Sequence, residues 1–372
     1  MESDVKKAKK ILVFRTGQLG DTIVALPAIW AVREYFPEAD ITMLSDYHPR
    51  KAYVMAEDFF PKSSLINNYI SYEANEEGIH HTKLIKLLPK FRRYHFDLLV
   101  YLAPRMRTNL QILRDLFFFR IAGIRKFIGH HGIEPLPLGK DGNTLPCVEH
   151  EAYHLLSRLS NSGIPVPKAG AGCMDLKLSK EERQKAKQFI AAHLNPGNFD
   201  PLVCFGSGSK WPSKIWPKER YAEVGQQLIS YLSISPFIIG GIEDRVVGDW
   251  LIAKWGKGVN IAGMLTVRET AAILECCRMY IGNDTGAMHL AAAVGTPCVA
   301  IFSAQDWPGR WYPYGNKNIV LRNSVPCEGC KLKQCNNNSL CLKKISIESV
   351  TDACKKLIEV NENKALYESH VQ

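Results

Sequence analysis

At 372 residues the chain has the length of two ordinary domains, and 46% apolar with 23% charged residues is globular composition that excludes an extended disordered protein. No apolar run reaches the roughly 18 residues of a membrane-spanning helix, and the basic N-terminal stretch leads into an apolar run too short for a secretory signal, so a cytoplasmic chain is expected. Forty-seven Lys and Arg against 37 Asp and Glu give +10, a balance that suits nucleic acid, an anionic membrane surface or a phosphorylated substrate without choosing among them.

Ile11-Leu-Val-Phe14 reads as a buried strand, Arg15-Thr-Gly-Gln-Leu-Gly-Asp21 as a glycine turn, and Thr22 to Phe36 as a helix through Ile23, Leu26, Ile29, Ala31 and Val32. Further strands are expected at Ile41–Ser45, Phe96–Leu102 and Arg125–Gly129, with helical patterns between them, which implies a parallel sheet. Asp21, with Gly17 and Gly20 in its loop, has two readings. It is a first-turn helix acid worth about 1 kcal/mol, or a carboxylate at a strand's carboxyl end that can take a proton from an attacking hydroxyl. The Pro/Gly-dense segment 163–172 marks a domain boundary, after which the pattern restarts.

The second half alternates Leu202–Phe205, a helix from Pro217 to Tyr231, Pro236–Gly241, a helix to about Trp255, Val259–Ile261, a helix over 267–277, Arg278–Ile281, a short helix over 287–294 and Cys298–Phe302. Three loops after its strands gather polar groups. Lys214, in Trp211-Pro-Ser-Lys-Ile-Trp-Pro217, is either a solvated loop lysine or a diphosphate ligand whose stem the aromatics hold. Glu243 is either a helix-start acid or an acceptor for ribose hydroxyls. Gly282-Asn-Asp-Thr-Gly286 sets Asp284, Thr285 and Gly286 at a helix start, where free backbone N–H groups favour phosphate, and places His289 one turn further on. The expected organisation is 1–172, 173–345 and a helical tail 346–372.

Seven of the eleven cysteines are scattered, but Cys327, Cys330, Cys335 and Cys341 form C-x2-C-x4-C-x5-C. Four thiolates so spaced are either a tetrahedral structural zinc or iron site or reduced, packed thiols. The arginines between Arg92 and Arg125, interleaved with Tyr94, Phe96 and Phe117–Phe119, either meet lipid phosphates and acidic sugars at a membrane face or lie on solvated helix faces over core aromatics; Arg105 and Arg107, which follow the strand ending at Leu102, are expected at a ligand cleft.

Taken in order, Gly17-Gln-Leu-Gly-Asp21 with Ala25-Leu-Pro-Ala28, Lys214-Ile-Trp-Pro217, Gly241-Ile-Glu243, Asp284-Thr-Gly-Ala-Met-His289 with Gly295-Thr-Pro297, and Trp307-Pro-Gly-Arg-Trp-Tyr-Pro-Tyr-Gly315 resemble glycosyltransferase family 9, the ADP-heptose:lipopolysaccharide heptosyltransferases. The resemblance spans most of the chain. It implies an α/β chain of the GT-B class, with two Rossmann-like, doubly wound domains facing across a cleft. It also implies inverting, metal-independent transfer of heptose from ADP-heptose to a lipopolysaccharide inner-core acceptor, a lipid-linked saccharide, at the inner membrane face, with no cofactor required for catalysis.

On the matching positions the resemblance makes Asp21 the general base. It gives the diphosphate to Lys214 and to the backbone of Thr285 and Gly286, the ribose to Glu243, the sugar hydroxyls to Asp284, and support of that loop to His289. Gly17, Gly20, Arg105 and Arg107 fall to the acceptor. The resemblance leaves open another nucleotide sugar, or a protein or capsule acceptor. The rival from another class is a basic, zinc-containing nucleic-acid-binding protein. It is weakened because Cys327 to Cys341 holds Lys331 and Lys333 but no aromatic residue, so no nucleic-acid partner is expected.

Overall fold

The structure is a computed structural model that describes residues 5–47, 54–60, 65–74, 85–137, 144–194 and 200–369, so the first four residues of the basic N-terminal stretch lie outside it. The chain forms two compact units, Met1–Pro137 with Glu149–Lys177, and Leu138–Val148 with Leu178–Gln372. The change at Lys177 comes shortly after the Pro/Gly-dense segment. Residues 144–148 belong to the second unit, where the Val148 amide donates to the Pro308 carbonyl at 2.9 Å.

The first unit runs β1 (Lys10–Phe14), α1 (Leu19–Val24), α2 (Leu26–Tyr35), β2 (Asp40–Tyr47), β3 (Asn68–Glu73), α3 (Leu88–Tyr94), β4 (Leu98–Tyr101), α4 (Asn109–Ile121), β5 (Lys126–Ile128) and α5 (Glu151–Ser160). Its sheet has the order β3-β2-β1-β4-β5, every pairing parallel. Ile11, Leu12, Val13 and Phe14 are buried on both faces, which is why β1 reads as a continuous apolar run. The helix expected over 22–36 is instead two helices meeting at Ala25. Pro27, in the first turn of α2, has no N–H with which to continue the α1 ladder.

The second unit runs α6 (Lys180–His193), β6 (Leu202–Gly206), α7 (Lys218–Leu232), β7 (Ser235–Ile238), α8 (Arg245–Trp255), β8 (Val259–Asn260), α9 (Val267–Glu275), β9 (Met279–Asn283), α10 (Gly286–Ala293), β10 (Cys298–Phe302), β11 (Ile319–Arg322), α11 (Leu340–Lys343) and α12 (Ile347–Ser369). The sheet order is β11-β10-β9-β6-β7-β8, again all parallel. Val350, Ala353, Cys354, Leu357 and Ile358 of α12 join Val203, Ile281 and Ile301 in one core, so the helical tail is an integral part of this unit.

In each sheet the connections reverse direction once, between β1 and β4 in the first and between β6 and β9 in the second. Ligands of open parallel sheets bind outside the strands' carboxyl ends at such points. The loops leaving β1 and β9 are the two that hold Asp21 and Asp284.

Candidate active site

At the β1 corner, Arg15 is buried and donates to the Leu102 carbonyl at 2.8 Å and to the backbone carbonyl of Asp21. Asp21 sits in the first turn of α1 and its carboxylate accepts the Gln18 amide at 2.9 Å, a capping interaction that fixes its direction. Gly17 has φ +121°, donates its amide to Asp46 Oδ1 at 2.8 Å, and a Cβ there would stand 2.6 Å from the Asp21 Cβ; glycine is what lets the loop close over this carboxylate. Gly20 lies in the same first turn. Part of the Asp21 surface remains exposed, yet the density of protein around the carboxyl removes enough water to raise its pKa above the ordinary 3.8. The charge of Arg15 and the Gln18 amide oppose that rise, while Asp46 and Glu151 add to it.

Arg105 and Arg107 stand just past β4, but each already faces a carboxylate. The Arg105 amide donates to Glu151 Oε1 at 3.0 Å, its Nε lies 3.8 Å from Glu151 Oε2, and its Nη2 donates to the Glu149 carbonyl at 3.3 Å. Arg107 Nη1 donates at 2.6 Å to Asp115 Oδ2, which also accepts the Tyr101 hydroxyl at 2.8 Å, and its guanidinium lies 5.3 Å from the Phe14 ring centre. Asp115, absent from the sequence reading, is the buried carboxylate that holds this cluster.

At the β9 corner, Lys214 ends a short turn over 212–214 and its Nζ lies 2.6 Å from Asp284 Oδ2, the lysine 20% and the aspartate 7% exposed. Trp211 lies against the same ammonium, its ring centre 5.7 Å away. Thr285 is the N-cap of α10 in extended conformation and supplies no side-chain cap, so the first-turn amides beginning at Gly286 lack that internal acceptor. His289 is buried one turn in and its amide closes on the Thr285 carbonyl at 3.3 Å. Lys214, Asp284, Thr285, Gly286 and His289 therefore occupy one corner. Glu243 is exposed in the turn 242–244 after β7, and the structure gives it no contact with that corner.

Two residues missed in the sequence organise these loops. Asn283, fully buried at the end of β9, donates to the carbonyls of Ser207 and Gly208 at 2.9 and 3.2 Å and accepts from the Trp216 amide at 3.1 Å and the Tyr221 hydroxyl at 2.9 Å. It thereby joins the loop after β6 to the segment just past Lys214. Asp244, beside Glu243, accepts the Gly241 amide at 3.0 Å and fills the space a Cβ on Gly208 would need; burial raises its pKa. The signal for Asn283 was an Asn at a buried strand's end, where an amide is costly unless fully paired.

The cysteine loop has two readings from its spacing, a structural metal site or reduced, packed thiols. Among the described residues no three His, Cys, Asp or Glu side chains gather as a metal ion would require. The Cys335 sulfur accepts the amides of Asn337 and Ser339 at 3.4 and 3.3 Å, and Cys341 packs against the second unit's core, where burial, and after it the nearby Cys335 and Cys327, push its thiol up. The loop's backbone braces the lysine turn. Gly329 and Lys331 donate to the carbonyls of Ala304 and Gln305, the Lys333 carbonyl accepts the Ser213 amide, and Ser213 Oγ donates to Gln305 Oε1 at 3.0 Å.

A model of glycosyltransferase family 9 (heptosyltransferase) matches residues 152–341, just over half of the chain. The chain belongs to glycosyltransferase family 9. This family 9 chain is 30% identical over 144 residues to lipopolysaccharide heptosyltransferase 2 of Salmonella typhimurium, a match covering 37% of this chain and 40% of that protein. It is 24% identical over 355 residues to lipooligosaccharide heptosyltransferase 2 of Campylobacter jejuni, covering 94% of this chain and 98% of the relative. Among solved structures, the ADP-heptose lipopolysaccharide heptosyltransferase II of Escherichia coli superposes with a TM-score of 0.64 at 20% identity, over 95% of this chain and 99% of that one. That likeness establishes the two-Rossmann GT-B fold class for this family 9 chain.

Proposed function

We propose that this family 9 protein transfers heptose from ADP-heptose to an inner-core saccharide carried on lipid, working on the cytoplasmic side of the membrane that holds its acceptor. Asp21 accepts the proton of the acceptor hydroxyl as its oxygen attacks the anomeric carbon from the face opposite the leaving group. The bond from that carbon to the diphosphate breaks and ADP departs. The charge that develops on ADP is met by Lys214 and by the amides at the start of α10. Asp284 then hydrogen-bonds sugar hydroxyls, Glu243 the ribose, and His289 supports the loop between them. Gly17 and Gly20 leave room for the acceptor, Arg105 shapes its side of the site through Glu151, and Arg107 holds the buried Asp115 rather than the acceptor.

The observation that carries this reading is the 2.6 Å pair of Lys214 and Asp284 beside the uncapped start of α10, a cation, a carboxylate and free amides at one switch point. The raised pKa of Asp21 suits a base that must hold a proton briefly at neutral pH. The test is a thermal-shift comparison of ADP-, UDP- and GDP-sugars followed by transfer assays. ADP-heptose at about 100 times its Kd should stabilise the protein by about 2.7 kcal/mol. Stabilisation by a UDP- or GDP-sugar with none by ADP-heptose would overturn the donor assignment.

A further inference from the structure

Helix α4 is apolar on two opposite sides. Ile112, Asp115 and Phe119 point into the first unit's core, whereas Leu110, Leu113, Phe117 and Ile121 are 79, 63, 66 and 43% exposed. At 100° per residue these four lie within about 80° of arc, a continuous outward stripe. An exposed apolar stripe on a surface helix whose other side already fills the core marks a face for a further contact. Ile85, 52% exposed just before α3, adjoins the stripe, and a cavity of about 310 Å3 between the two is lined by Ile85, Leu88, Phe117, Phe118 and Ile121.

Among the described residues the exposed charges on α3, at the end of α4 and at the start of β5 are cations. Lys86, Lys90, Arg92 and Arg93 on the α3 side, with Arg120 in the last turn of α4 and Lys126 at the start of β5, are all exposed. Arg92 donates to the Ile121 carbonyl at 3.3 Å, which fastens the basic stretch to the stripe. The acid of α4, Asp115, is buried and held by Arg107 and Arg114 at 2.6 and 3.0 Å. A second copy of the chain laid on this face would bring like charges together, which disfavours self-association. An apolar stripe rimmed by cations matches instead the phosphates and acyl boundary of an anionic bilayer.

We propose that the outer face of α4, with the basic stretch 85–93, docks the protein onto an anionic lipid bilayer. Leu110, Leu113, Phe117 and Ile121 enter the headgroup boundary, and the cations meet lipid phosphates. The proposal rests on the reading of a lipid-linked acceptor for its purpose, yet vesicle binding needs no nucleotide sugar. A chain that binds vesicles but transfers nothing would sink the transfer reading alone.

The test is flotation of the full chain with vesicles of phosphatidylglycerol and phosphatidylcholine, and with phosphatidylcholine alone. The wild type is expected to float with the anionic vesicles, less at high salt, and weakly with the neutral ones. L113E/F117E should lower partitioning more than about tenfold, since each side chain is worth more than that when buried. R120Q/K126Q should lower it about fivefold per cation, corresponding to ~1 kcal/mol each. Both pairs should leave the melting temperature and ADP binding as in the wild type, and if the first pair misfolds, the second decides. Equal flotation of wild type and both variants would overturn the proposal. So would failure of the wild type to bind anionic vesicles, or a wild-type dimer that L113E/F117E turns into a monomer.

Discussion

The β1–α1 corner and the β9–α10 corner share one topology, a buried parallel strand, a glycine-containing loop and a short helix at the point where the sheet reverses, yet their electrostatics differ. At β1 the carboxylate of Asp21 is turned onto the Gln18 amide and burial raises its pKa, the state the proposed proton acceptor needs. At β9 the carboxylate of Asp284 is matched by the Lys214 ammonium at 2.6 Å and the helix start lacks a side-chain cap, the arrangement on which the proposed diphosphate role rests. One backbone plan thus carries a carboxylate capped by an amide at β1, with Arg15 on the loop backbone, and a carboxylate paired with a lysine at β9.

The comparison breaks most visibly at Asn283. Asn283→Ala leaves two buried carbonyls, an amide and a phenol without partners, and chemical denaturation should show a loss of about 3–5 kcal/mol. A change below about 1 kcal/mol would mean that the β9 corner is held by something other than this amide. Lys214→Ala removes the cation that distinguishes the two corners. Calorimetric ADP affinity should fall about a hundredfold, ~2.7 kcal/mol, and unchanged affinity would take the anion role from Lys214. Arg107→Gln separates a structural from an acceptor role. A stability loss of about 2 kcal/mol with little change in acceptor KM is expected, and the reverse pattern would return Arg107 to the acceptor.

Most of both sheets was legible because strands buried on two faces read as apolar runs, as at Ile11–Phe14 and Cys298–Phe302. β3 and β11 were missed because their signals are weak, Asn68–Glu73 alternating polar and apolar residues and Ile319–Arg322 offering a three-residue apolar run that is only half-buried. The loops holding Asp21, Lys214 and Asp284 were legible from glycine, proline and cation placement after strands. What Arg105, Arg107, Asn283 and Asp244 do was not, because each depends on a partner distant in sequence: Glu151, Asp115, the carbonyls after β6, and Gly208. The cysteine spacing left ligands and packed thiols open, since spacing alone does not say whether four sulfurs converge; in the fold Cys335 caps a turn and Cys341 lies near Cys335 and Cys327.

Burial also sets the sign of the pH response. Unfolded chains release the Asp21 proton near 3.8, whereas the folded protein holds it to higher pH, so stability declines as pH rises through that window and Asp21→Asn should remove this slope. The same shift places the acid limb of kcat/KM above 3.8 if Asp21 is the base.

The most direct test is heptose transfer from ADP-heptose by Asp21→Asn beside the wild type, with the ADP Kd of each measured calorimetrically. The expected result is a fall in kcat of about 10²–10⁴ with an ADP Kd unchanged within about a factor of two, and loss of the acid limb. Wild-type turnover in the variant would contradict the division of labour between the two corners and leave Asp21 as a helix cap alone.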